Sequence, residues 1–131
     1  MLFRSPYFTE PALQKRTLEY ATSSEIRTQD SPRLVAGLLT RPWSSHGAWA
    51  YVKQNWDSIQ RSLGVFQGLP QIAGGTSSFC DQPTRDDVQQ FFDAHRIRAI
   101  DLHVRQALET IDRCIRTKNQ QQQNVTLFFK M

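Results

Sequence analysis

The sequence predicts an all-α chain of antiparallel helix pairs, and three observations carry that expectation. Apolar residues recur at steps of three and four along most of the 131 residues. No stretch alternates apolar and polar residues as an amphipathic strand would. Finally, cap residues followed by proline punctuate the chain at short intervals, so six helices joined by short turns form a bundle or a short solenoid. No fixed-period repeat is present, so a solenoid would be an irregular one.

Thr9 is the expected cap of a first helix with Glu10 and Pro11 in its opening turn, and Leu13, Thr17, Tyr20 and Ala21 share one face. The pattern breaks at Thr22-Ser23-Ser24. Asp30-Ser31-Pro32 opens a second helix, where Leu34, Val35, Leu38 and Leu39 repeat at i, i+4. Arg41-Pro42 ends it, because a residue before proline avoids helical angles. The third helix, from about Ser45 to Leu63, carries the strongest signal. Trp49, Val52, Trp56, Ile59 and Leu63 form a narrow apolar seam, and Gly64 is a stop.

Residues 65–80 hold Val65, Phe66, Leu69, Ile72 and Ala73, which suit a short helix, but Gly68 and Pro70 interrupt it. Gly74-Gly75-Thr76-Ser77-Ser78 reads as a turn. Thr84 is expected to cap a helix through Asp86, Asp87, Val88, Phe91 and Phe92. The last helix is expected over Ile97 to Arg116. Its buried stripe would be Ile97, Ile100, Val104, Ala107, Leu108, Ile111 and Cys114, and its polar side would pair Asp101–Arg105, Glu109–Arg113 and Asp112–Arg116. Residues 1–118 therefore form the domain. Residues 119–131, with Gln120 to Gln123, form a frayed Gln-rich tail in which Leu127, Phe128 and Phe129 are candidates for docking.

Charge divides unevenly. Residues 1–94 hold nine Lys/Arg and nine Asp/Glu, whereas residues 95–131 hold seven and three, so the whole formal +4 lies in the last segment. A solvated helix face is the plainer reading of that charge. The basic residues are not interleaved with aromatics and no nucleic-acid motif is present, so no nucleic-acid partner is expected. No apolar run approaches the ~20 residues of a membrane span, and the start has no stretch like a secretory signal, so composition assigns no compartment.

His46, His95 and His103 never fall three or four apart, and no His-Glu-x-x-His occurs. Cys80 and Cys114 lack the spacing of a zinc knuckle, make no disulfide framework, and have no local histidine to activate them; Cys114 is read as a small apolar group. Gly74-Gly75 lacks the Lys of a phosphate loop, no Gly-x-Ser-x-Gly elbow appears, and Asp86-Asp87 is read as helix-start stabilisation. No cofactor is therefore expected in this chain.

Several segments, read together, resemble a known family. They are Pro11-Ala12-Leu13 with Arg16-Thr17-Leu18-Glu19-Tyr20-Ala21, then Ile26-Arg27-Thr28-Gln29-Asp30, then Ala48-Trp49-Ala50-Tyr51-Val52-Lys53-Gln54-Asn55-Trp56-Asp57. Phe91-Phe92 and Arg105-Gln106-Ala107-Leu108-Glu109-Thr110-Ile111 complete the series. Their order resembles the C-terminal helical domain of zinc aminopeptidases of the aminopeptidase N type, similar to that of puromycin-sensitive and endoplasmic-reticulum aminopeptidases. The resemblance implies an irregular HEAT- or armadillo-like superhelix fragment. It also implies a catalytic zinc held elsewhere in a parent chain, by a His-Glu-x-x-His motif that this sequence lacks. In such a parent this domain, joined to upstream domains, closes and shapes the chamber that holds the peptide substrate. Candidate chamber contacts are Arg27, Arg41, Arg98 and Arg105; Trp49, Trp56, Phe91 and Phe92 are read as core. The rival reading is a free-standing helical scaffold that binds a partner protein or peptide. If Met1 is an internal cut, Leu13, Tyr20, Leu34 and Leu38 belong to a pair that has lost its neighbour, and the isolated fragment self-associates through its N-terminal helices.

Overall fold

The structure is a computed structural model that describes residues 8–27, 29–63 and 68–130. Among the described residues seven α-helices succeed one another: α1 (Pro11–Ala21), α2 (Ser31–Leu39), α3 (Ser45–Gln54), α4 (Trp56–Leu63), α5 (Leu69–Gly75), α6 (Gln82–Ala94) and α7 (Asp101–Lys130). Short 3-10 turns at Thr76–Ser78 and Arg98–Ile100 lead towards α6 and α7. Among the described residues there is no strand, so the chain is all-α. Val65, Phe66 and the expected stop at Gly64 lie outside the described residues.

Prolines stand at four of the described starts, Pro70 at that of α5 among them, although in sequence it reads as an interruption. Pro11, Pro32 and Pro83 each stand in a first turn, where a missing N–H leaves no intrahelical bond unmade. The cap of α6 is Asp81 rather than Thr84: the Asp81 carboxylate accepts from the Thr84 N–H at 2.9 Å and from Thr84 Oγ1 at 2.6 Å. Likewise Glu10, not Thr9, stands at the start of α1, without a side-chain cap bond.

The long third helix is divided. Asn55 interrupts it at φ −113°, ψ 21°, and its side-chain amide donates to the Tyr51 carbonyl at 2.9 Å. The seam survives the break, since Trp49, Val52, Trp56, Ile59 and Leu63 are all buried. The glycine pair does not turn. Gly74 and Gly75 end α5, and a Cβ on Gly75 would stand 3.1 Å from Leu39 Cδ1 and 3.4 Å from the Ala36 Cα. Gly75 thus lets α5 lie tightly on α2.

The core gathers α2, α3, α4 and α5 around Val35, Leu38, Leu39, Val52, Ile59, Leu69 and Ile72, all fully buried. Helices α6 and α7 close it through Val88, Phe92 and Ile111, with Ile100 of the 3-10 turn between them. Polar pins cross between elements: Thr22 and Tyr51 hydroxyls meet at 2.8 Å, and Ser78 Oγ donates to the Leu39 carbonyl at 2.7 Å.

Helix α7 departs furthest from expectation. It continues through the Gln-rich segment to Lys130, and every residue from 116 to 130 is exposed. Phe128 and Phe129 are 73% and 80% exposed and dock on nothing in the described structure. In the N-terminal pair, by contrast, Leu34 and Leu38 are buried, Leu13 is half-buried, and Tyr20 is the exposed member.

Candidate functional site

An aromatic cluster joins α3 and α4 to α6. Phe91 meets Trp49 and Trp56 edge-on, with ring centroids 5.2 Å away in both cases, and Phe92 lies 5.4 Å from Phe91. Edge-to-face pairs of this kind add about 0.5–1.5 kcal/mol beyond burial. All four rings are at least nine-tenths buried, as the apolar seam requires, so the signature residues build core. His95 stacks on Phe91 at 4.4 Å and its Nδ1 lies 2.9 Å from the Phe91 carbonyl oxygen.

One polar group is set into the edge of this cluster. Asp87 Oδ2 accepts from Trp49 Nε1 at 2.8 Å and from Lys53 Nζ at 2.5 Å. Partial burial opposes its ionisation, but the bonds from Lys53 and Trp49 and the Lys53 charge outweigh burial and hold its pKa below the usual carboxylate value. Asp81 is lowered too, first by the Thr84 hydroxyl bond, with the Thr84 N–H, His46 and Lys118 assisting against desolvation. Asp87 was read in sequence as a first-turn acid; its partners lie 34 and 38 residues away, beyond the reach of any local pattern. Asp81 did carry a signal, for Asp81-Gln82-Pro83 repeats the cap-then-proline pattern of Asp30-Ser31-Pro32.

The four candidate arginines are not brought together. Arg27 and Arg98 are exposed. Arg41 is half-buried in a cleft of about 260 Å³ with His46, Asp81 and Lys118. Arg105 borders a separate cleft of about 240 Å³ between α6 and α7, floored by Phe92, Ile97, Ile100, Val104 and Leu108. The expected i, i+4 ladder of α7 is replaced. Asp101 pairs with Arg96 at 3.2 Å, and Asp112 accepts from Arg85 of α6 at 2.8 Å, a bond that raises the Arg85 pKa. Among the described residues Glu109 and Arg113 form no ion pair.

The cysteines depart from their sequence reading. Cys114 lies on the exposed side of α7, one residue round from the stripe, and forms a disulfide with Cys80. Among the described residues no group of three or more His, Cys, Asp or Glu side chains is placed to hold a metal ion, and these two sulfurs are not thiolates, so this donor set does not fit a zinc.

The comparisons with known proteins decide the family. The family described as "ERAP1-like C-terminal domain" matches residues 5–113. The chain belongs to that family. It is 29% identical over 94 residues to human endoplasmic reticulum aminopeptidase 2, a match covering 70% of this chain and 10% of that protein. The chain therefore spans about a tenth of its relative's length. Within the matched region of this ERAP1-like domain lie the Trp49, Trp56, Phe91 and Phe92 cluster and the Asp87 pin. The segment from residue 114 onward, with the exposed half of α7, lies beyond it. No helix is long and apolar enough to cross a membrane among the described residues.

Proposed function

We propose that this ERAP1-like domain is a non-catalytic C-terminal fragment of a zinc aminopeptidase, and that in the parent it closes and shapes the peptide chamber over the active site. The observation that carries the reading is the family match over residues 5–113, together with a relative that is itself an aminopeptidase. The spending of the signature aromatics on core packing supports it, because a domain that only shapes a wall needs a rigid interior and no reactive cluster. An upstream domain of the parent would hold the zinc, which when bound would polarise the scissile carbonyl and activate water. The helix pairs would extend an irregular HEAT-like superhelix begun there. Arg41 and Arg105 are the favoured chamber contacts, since each borders a cleft; Arg27 and Arg98 stand on open surface. In isolation the fragment self-associates.

The test uses the full-length parent. Its reading frame upstream of Met1 should encode His-Glu-x-x-His; a stop codon there would favour the free-standing scaffold instead. In that parent Arg41→Gln and Arg105→Gln should raise KM for long peptides several-fold at constant kcat. Aminoacyl-anilides, too short to reach this domain, should be cleaved unchanged. Unaltered KM for peptides of every length would remove both residues from the chamber.

A further inference from the structure

The Cys80–Cys114 disulfide sits where α7 leaves the body. The two residues are 34 apart in sequence, with Cα atoms 5.4 Å apart. Ile111 is the last fully buried residue of α7, Ile115 is half-buried, and everything from 116 to 130 is exposed. On the other side, Cys80 follows buried Phe79 and precedes Asp81, the cap of α6. The polar interactions of α7 near this junction are the Arg85–Asp112 pair, whose carboxylate is 41% exposed, and the attraction of Lys118 to Asp81, and such partly exposed charge pairs hold little. The covalent bond is therefore the main restraint on the outer part of α7.

We propose that Cys80–Cys114 is a redox clasp that fastens α7 to the start of α6, and that this chain completes its fold in an oxidising compartment. Cytosolic glutathione and thioredoxin keep such thiols reduced, so the clasp belongs where disulfides persist. Its closure is a thiol–disulfide exchange with an oxidoreductase disulfide. The accessible Cys114 thiolate attacks that disulfide, forming a mixed disulfide and freeing one oxidoreductase thiol. The Cys80 thiolate then displaces the second, so the chain loses two electrons and two protons and the oxidoreductase leaves as a dithiol. This inference rests on the chain's own cysteines and is independent of the aminopeptidase reading.

The experiment compares the 131-residue chain exported to an oxidising compartment with the same chain made in a reducing cytosol. The exported protein should show no free thiol in denaturant and one Cys80–Cys114 cross-linked peptide pair. Reduction should lower its Tm by about 10 °C and speed tryptic cleavage at Arg113 and Arg116 several-fold. The cytosolic protein and a Cys80→Ser/Cys114→Ser variant should match the reduced form. Should that variant fail to fold, the oxidised and reduced wild type still give the comparison. Two free thiols in the exported protein, or reduction without effect on Tm and cleavage, would overturn the clasp. Complete bond formation in the reducing cytosol would overturn the compartment.

Discussion

Asp87 holds two donors on one carboxylate oxygen, and the Lys53 ammonium also stands 5.7 Å from the Trp49 ring centroid. Both Asp87 and Asp81 have pKa values depressed below the unfolded reference of about 3.9. A depressed carboxylate contributes stability that is present above the unfolded value and lost as pH falls through the folded one. Stability should therefore fall as pH drops below about 4, and Asp87→Asn should flatten that fall while lowering stability at neutral pH. Denaturant melts at pH values from 6 down to 2 measure both; an Asp87→Asn profile parallel to the wild type would mean the pin carries no charge-dependent stability. Trp56, 3% exposed and edge-on to both Phe91 and Phe92, is the second residue to test. Trp56→Ala should cost ~3–5 kcal/mol, read from the denaturation midpoint. Burial of the four aromatics was legible in the sequence because helical periodicity alone settles which face a ring occupies. The Asp87 partners and the disulfide were not, since both join elements more than thirty residues apart.

At the scale of elements, the starts at Pro11 and Pro32 were legible, whereas Pro70 reads in sequence as an interruption and Pro83 falls before the expected Thr84 cap, because the true cap of α6 is Asp81. The break at Asn55 was invisible for a geometric reason: the seam keeps its steps of three and four across the break, so the same five residues stay buried with or without it. Gly74-Gly75 misled in the opposite direction, because two glycines favour a turn locally while the tight packing of α5 on α2 holds them helical. That packing separates the two glycines sharply. A Cβ on Gly74 meets nothing within 4 Å, so Gly74→Ala should stabilise the chain by up to ~1 kcal/mol through helix propensity. A branched side chain at Gly75 would drive into Leu39, so Gly75→Val should destabilise by ~1–3 kcal/mol. Thermal melts of the two variants should move in opposite directions; a shared direction would show that α5 does not depend on this contact.

For the molecule as a whole, the distribution of apolar surface decides how the isolated chain behaves. The N-terminal helices bury Leu34 and Leu38, so little of the expected open face remains there among the described residues. The large exposed apolar side chains gather at the other end, where Val125, Leu127, Phe128 and Phe129 are 55–80% exposed. Between Arg113 and Lys130 lie four basic residues and no acid, so like charge opposes association of two such ends at low salt. Added salt screens that repulsion and leaves the apolar attraction. We therefore expect the self-association of the fragment to strengthen with ionic strength and to run through α7. Removing residues 119–131 should abolish it while moving Tm by no more than a degree or two, since the deleted residues described here bury nothing. Light scattering across salt and protein concentration, on the whole chain and on residues 1–118, separates the two ends. Association that persists in the shortened chain would move the contact off the tail, where among the described residues Tyr20, Trp43 and Leu102 are the exposed large apolar side chains that remain.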